Sequence, residues 1–197
     1  GARTVDPAEL GNPVMNFNID GGSARTITIG AVGADRWEAE IFGKAAHAGV
    51  HPERGISATI VQARALAAIH KGGWFGKIKK AGKEGTSNVG PVGDALGQSA
   101  GQATNVVTDY VKVVGESRSS DNKFISAITT AYLQAFQETA SQVLAEPGKT
   151  ARVKFSSHRS YYPYRLKENS PVVRTATEVA SGLGWDATLK FSTGGLD

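Results

Sequence analysis

The longest periodic segment of the chain runs from about Ser120 to Leu144. There Phe124, Ile128, Ala131, Ala135, Thr139 and Val143 recur at helical spacing, an apolar stripe roughly seven turns long. Pro147-Gly148 mark its end. The order of segments around this helix constrains the fold. Arg25 to Ala31 and Trp37 to Phe42 alternate as strands, with Ala34-Asp35 as the turn between them and Gly43 closing the second. Residues 57–71 read as a helix, capped by Ser57, with Ile56, Ile60, Ala63, Ala67 and His70 at helical spacing and Gly72-Gly73 at its end. The basic stretch GKIKKAGKEG at 76–85 reads as a solvated loop, with an anion site as the alternative. Strands follow at Thr86 to Val92 and Asn105 to Val114, and, beyond the long helix, at Ala151 to Ser156.

Strand, helix, strand, strand, long helix, strand is the split βαβ plan. The expected fold is therefore α+β, ferredoxin-like: an antiparallel sheet with two helices on one face. Before it, Asp6-Pro7 opens a short helical turn, and Val14 to Ile19 reads as a strand stopped by Asp20-Gly21-Gly22. After it, Ser170-Pro171 starts a helix that runs to Leu183, and Trp185 to Phe191 reads as a strand leading into the terminal STGGLD. An ending on a glycine turn directly after a strand reads as cut rather than finished. Glycine supplies 24 of 197 residues, about 12% against a usual ~7%, which suits a chain with many turns and strand junctions.

Composition removes several chemistries. With no cysteine, disulfides, thiolate zinc sites and cysteine nucleophiles are excluded. The net charge of +4 neither demands nor excludes an anionic partner. No apolar run is long enough to span a membrane and no signal segment opens the chain, so a cytoplasmic protein without a membrane partner is expected. The serines form no G-x-S-x-G elbow, and neither a P-loop nor G-x-G-x-x-G follows a strand. Aromatic residues do not fall in an RNA-binding pattern on the central strands, so no nucleic-acid partner is expected.

Four positions draw attention by residue type. His47 lies among Ala45, Ala46, Ala48 and Gly49, small neighbours that leave its ring open to a ligand; a solvent-facing imidazole is the other reading. His51 is four residues on, but a loop containing Pro52 denies the pair the geometry of a helical metal site. Asp20, at a strand end, can meet a metal or serve as an Asx-turn residue. Arg118, following a strand, has the planar fork that suits a carboxylate, and Asn105 could add an amide donor. Gly194 and Gly195 could form a backbone nest.

FNIDGG at 17–22, GKAAHAGVHPERGISA at 43–58, GTSNVG at 85–90, ATNVVTDYVKVVGESRSSD at 103–121 and STGGLD at 192–197 occur in an order that resembles the dinuclear-zinc metallopeptidases, a family including peptidase T, aminoacylase and glutamate carboxypeptidase. The wording is most similar to the peptidase T-like branch. The resemblance implies that residues 30–162 are an inserted dimerisation and lid domain, and that 1–29 and 163–197 are pieces of the catalytic domain. It implies a homodimer acting on short peptides, with N-acyl amino acids as the alternative substrate class and a non-catalytic interaction module as the rival reading.

Carried over by position, Asp20 matches a terminal zinc ligand. His47 matches the lid histidine that reaches the partner's active site and stabilises the oxyanion. Asn105 matches the lid asparagine that contacts substrate, Arg118 the arginine that grips its carboxylate, and Gly194 and Gly195 the turn lining the pocket. Thr108 stands where many relatives have Pro. The family's two zinc ions would activate a water for attack on the amide carbonyl. The general-base and bridging glutamates would precede Gly1, and the other ligands have no counterpart here, so the fragment alone is expected to be inactive and incompletely loaded with zinc.

Overall fold

A computed structural model describes residues 6–19, 22–96, 98–101, 103–145 and 148–194. The chain divides into two compact units, one of residues 33–162 and the other of residues 1–32 with 163–197.

The first of these units is built from β2 (Gly33–Phe42), α1 (Ala58–Lys71), β3 (Gly76–Lys80), β4 (Lys83–Gly93), β5 (Tyr110–Ser119), α2 (Asn122–Gln142) and β8 (Arg152–Tyr161), with the short pair β6 (Leu144–Ala145) and β7 (Lys149–Thr150) after α2. Its five-stranded sheet has the order β3-β4-β5-β2-β8, every neighbour antiparallel. This is the α+β split βαβ arrangement, widened by an edge hairpin.

The sheet is two-faced. Trp37, Ala39 and Ile41 of β2 and Val111 and Val113 of β5 are buried toward the helices, while the alternate residues, charged from Arg36 to Glu40 and with Phe42 against Tyr110 at one end, form the open face. Trp37 is the centre of the core, with its ring centroid 4.3 Å from Tyr132, 6.3 Å from Phe136 and 5.7 Å from Phe155. A Cβ at Gly115 would come within 2.1 Å of the Trp37 ring, so β5 must carry glycine there. Tyr132 completes a buried chain: its hydroxyl lies 2.8 Å from Ser87 Oγ, which donates to the Trp74 carbonyl at 2.6 Å. Burial pushes the Tyr132 phenol up, partly offset by its Ser87 bond.

Several local expectations change. Ala34-Asp35 is not a turn but lies inside β2; the strand is interrupted at Val32 instead, between β2 and β1 (Thr26–Ala31), which belongs to the other unit. Asp35 stays within the strand because Arg159 and Thr129 both donate to its carboxylate. The basic stretch 76–85 is a hairpin rather than a loop: Ala81 and Gly82 both take positive φ, 48° and 74°, the geometry of a two-residue turn, and Ile78 is buried while the lysines point out. The strand expected at Asn105 begins at Tyr110 and runs to Ser119, because residues 105–107 bridge a loop instead of the sheet.

In α1 the buried face is Ala58, Val61, Ala65 and Ile69; the stripe through Ile60, Ala63, Ala67 and His70 faces solvent. In α2 the buried face is centred on Ile125, Ile128, Tyr132 and Phe136, and the helix ends at Gln142, before residues 146–147, which lie outside the described set.

The second unit holds a 3-10 turn at Pro7–Leu10, β1, β9 (Tyr164–Arg165), α3 (Pro171–Gly182) and β10 (Thr188–Ser192). β1 pairs with β10 in parallel and with β9 antiparallel. No strand forms over 14–19: Val14 and Ile19 are almost fully exposed and no described strand offers them a ladder.

Candidate functional site

The loop after β2 is fixed at its base by backbone bonds. Gly43 N–H donates to Asp109 O at 2.7 Å, and Lys44 and Ile56 exchange N–H···O bonds at 3.0 and 2.9 Å. The two arms of the loop come this close because position 43 has no side chain; a Cβ there would lie 2.0 Å from the Ile56 carbonyl. Above the base, Val107 N–H donates to Ala46 O at 2.9 Å and Ala48 N–H to Asn105 O at 2.8 Å, so His47 and Asn105 are brought to one exposed rim.

The local turn also orients the imidazole. Val50 and His51 N–H groups donate to His47 O, and Gly49 N–H donates to His47 Nδ1 at 3.2 Å. An acceptor at Nδ1 puts the neutral ring's proton on Nε2, which makes the outer edge of the ring a hydrogen-bond donor. His51 is engaged elsewhere, with Nδ1 3.1 Å from Glu53 Oε1. A backbone hydrogen bond, then His51 and Arg54, hold the Glu53 carboxyl below its ordinary range.

Arg118 lies within β5 rather than after it, on the open face of the sheet. Its Nη2 donates to Glu116 Oε2 at 3.0 Å, and its Nε lies 2.9 Å from Oε1 as an ion-pair contact rather than an aligned hydrogen bond. Arg36 Nη1, from β2, approaches the same Oε2 at 2.7 Å. The Glu116 contact raises the Arg118 guanidinium above its ordinary value.

In the antiparallel register Arg118 faces Ala34, whereas Tyr110 faces Phe42, just before the His47 loop. Eight strand residues at ~3.3 Å each put roughly 26 Å of sheet between Arg118 and the loop base. One copy of the chain therefore brings His47 and Asn105 together and holds Arg118 apart from them.

Residues 29–143 match the peptidase dimerisation domain of the M20 family. The chain belongs to that family. Across its whole length it is 31% identical to the uncharacterized protein YqjE of Bacillus subtilis, of which it covers 48%. It resembles the crystal structure of aminopeptidase PepT from Bacillus cereus, at 28% identity and a TM-score of 0.80, covering 99% of this chain and 47% of that one. A tripeptidase from Staphylococcus aureus gives 29% identity and a TM-score of 0.72, over 86% of this chain and 40% of that one. The chain thus spans about half the length of the relatives it matches.

Gly194 follows β10, where its N–H donates to Ser192 Oγ at 3.2 Å and Ser192 Oγ donates to its carbonyl at 3.1 Å. Asp20 and Gly195 lie outside the described residues. Among the described residues of this M20 domain no three His, Asp or Glu side chains gather in a way that could hold a metal, so they do not by themselves fit a zinc centre. No motif marks Glu116 and Arg36, which the fold brings to Arg118. Glu116 and Arg118 share a strand face by their i, i+2 spacing, which the sequence does display; the meeting with Arg36 depends on cross-strand register, which it does not.

Proposed function

We propose that this chain is the lid and dimerisation part of a zinc-dependent peptidase acting on short peptides, with residues 30–162 as the lid and 1–29 and 163–197 belonging to the catalytic domain. It is inactive by itself and cytoplasmic. The observation that carries this reading is the likeness to aminopeptidase PepT along 99% of the chain, together with an exposed imidazole whose Nδ1 accepts the Gly49 N–H.

In the proposed reaction the end-on fork of Arg118 binds the substrate carboxylate and Asn105 contacts the substrate. His47 donates from Nε2 to the oxygen of the scissile carbonyl as negative charge develops there. The donor is preorganised because Gly49 already occupies Nδ1. Zinc, when bound by a chain spanning the full length of the relatives, would supply the activated water; among the described residues no three His, Asp or Glu gather to hold it.

With His47 and Arg118 at opposite ends of one sheet, the oxyanion donor for a substrate held by one subunit comes from its partner. The surfaces available for pairing support this. β3 is a sheet edge, and next to it Phe75, 42% exposed, packs edge-on against His70 of α1, whose outward face carries Ile60 at 51% exposure. A chain spanning the full length of the relatives should be dimeric, bind zinc and cleave short peptides. Zinc-loaded protein inert toward a broad panel of peptides and N-acyl amino acids would contradict the reading.

A further inference from the structure

The contacts of Arg118 divide its guanidinium into two edges. Glu116 occupies the side-on edge, Nε and Nη2, and a planar guanidinium then directs its other edge, Nη1 and Nη2, away from Glu116. The cross-strand partners of Arg118 are Ala34 and Thr86, neither of them acidic. Glu116 is itself held from the other side by Arg36. Two guanidiniums around one carboxylate leave one positive charge in excess on the open face.

The degree of shielding separates this cluster from an ordinary surface ion pair. The Arg118 and Glu116 side chains are only 25% and 19% exposed, whereas Arg36, at 49%, reaches in from solvent. An exposed pair can rotate freely and contributes little, but a side-on contact between partly buried groups fixes the plane of the arginine.

We propose that Glu116 is a positioning residue for carboxylate recognition: it holds Arg118 side-on, with Arg36 as its anchor, so that the end-on edge of Arg118 is presented to the free C-terminal carboxylate of a peptide. This rests on the reading of Arg118 as the carboxylate-binding residue. Glu116 does not touch the substrate, and its effect is confined to substrates that carry the carboxylate. Its loss leaves the arginine charged but free to sample rotamers in which the fork is misdirected.

The test is steady-state hydrolysis of trialanine and of trialanine amide by an enzyme spanning the full length of the relatives. Arg118→Ala is expected to raise KM for trialanine and to leave the amide little changed. Glu116→Ala should do the same to a lesser degree, raising KM roughly tenfold with kcat nearly unaltered. Glu116→Asp should recover part of the loss. The double variant should be no worse than Arg118→Ala alone, since the two residues act in series.

An Arg118→Ala effect selective for trialanine, with Glu116→Ala unchanged or with a lower KM, would overturn the role of Glu116 and leave the reading of Arg118 intact. Equal losses on trialanine and its amide in Glu116→Ala would assign the residue to folding alone and also overturn the proposal. An Arg118→Ala enzyme that still discriminates acid from amide as the wild type does would overturn both.

Discussion

Arg118 stands across from Ala34 near the start of β2, and His47 follows the end of that same strand, so the two side chains belong to opposite ends of one sheet. The antiparallel register fixes this separation, and side-chain rotation cannot close roughly 26 Å of strand. If both act on one short peptide, as proposed, they come from different copies of the chain.

The first prediction concerns the donor. On the proposed function, His47→Ala in a chain spanning the full length of the relatives should lower kcat by about 100- to 1000-fold, the usual effect of losing one oxyanion donor, while zinc content stays constant. Metal analysis alongside single-turnover kinetics checks it. An unchanged kcat would remove His47 from the reaction.

Self-association should depend on the outward face of α1 and on the β3 edge. Ile60→Glu places a charge on an exposed apolar position, so it should shift the protein from dimer to monomer in sedimentation while the circular dichroism of the folded chain is kept. A variant that remains fully dimeric would move the interface elsewhere.

The core prediction follows from the contact of Gly115 with Trp37. Gly115→Ala should cost about 3 kcal/mol in urea unfolding, because the new methyl group meets an aromatic ring already hemmed in by Tyr132 and Phe155. Trp37→Phe in the same chain should recover part of that loss. Additive losses would mean that the ring is not what excludes the methyl group.

One contribution to acid sensitivity lies at the start of α2, beside those of Glu40, Glu53 and Glu84. Asp121 accepts from Phe124 N–H at 2.8 Å and meets Lys83 Nζ at 2.8 Å; the Lys83 contact first, and the cap bond next, hold its carboxyl below its ordinary range. A carboxyl lowered in the folded state stabilises above its unfolded value, and the contribution is lost as pH falls through the folded one. Unfolding midpoints should therefore drop below about pH 4, and Asp121→Asn, which keeps a capping acceptor, should flatten that part of the profile. An acid limb in Asp121→Asn identical to that of the parent would remove Asp121 from it.

The α+β plan was legible because Trp37 to Phe42, the α2 stripe and the β8 segment alternate at strand or helix period. The failures have physical causes. In α1, small residues line both faces, so Ile60, Ala63 and Ala67 competed with Val61, Ala65 and Ile69, and only packing against the sheet decides between them. The β3–β4 hairpin was hidden by lysines, since a strand exposed on one side needs only Ile78 to turn inward. His47, Asn105 and Arg118 could be singled out by residue type and by resemblance. Their division between two ends of the sheet, and the Glu116–Arg36 contact, depend on strand register.

The most direct measurement mixes two impaired full-length enzymes, one carrying His47→Ala and the other Arg118→Ala, after dissociation and reassociation. If each site takes Arg118 from its own subunit and His47 from the partner, every mixed dimer regains one intact site. Random pairing of equal amounts, assayed on trialanine far below its KM where both parents are impaired, should then restore about a quarter of wild-type kcat/KM. Activity no higher than that of the two parent variants would contradict a site shared between subunits.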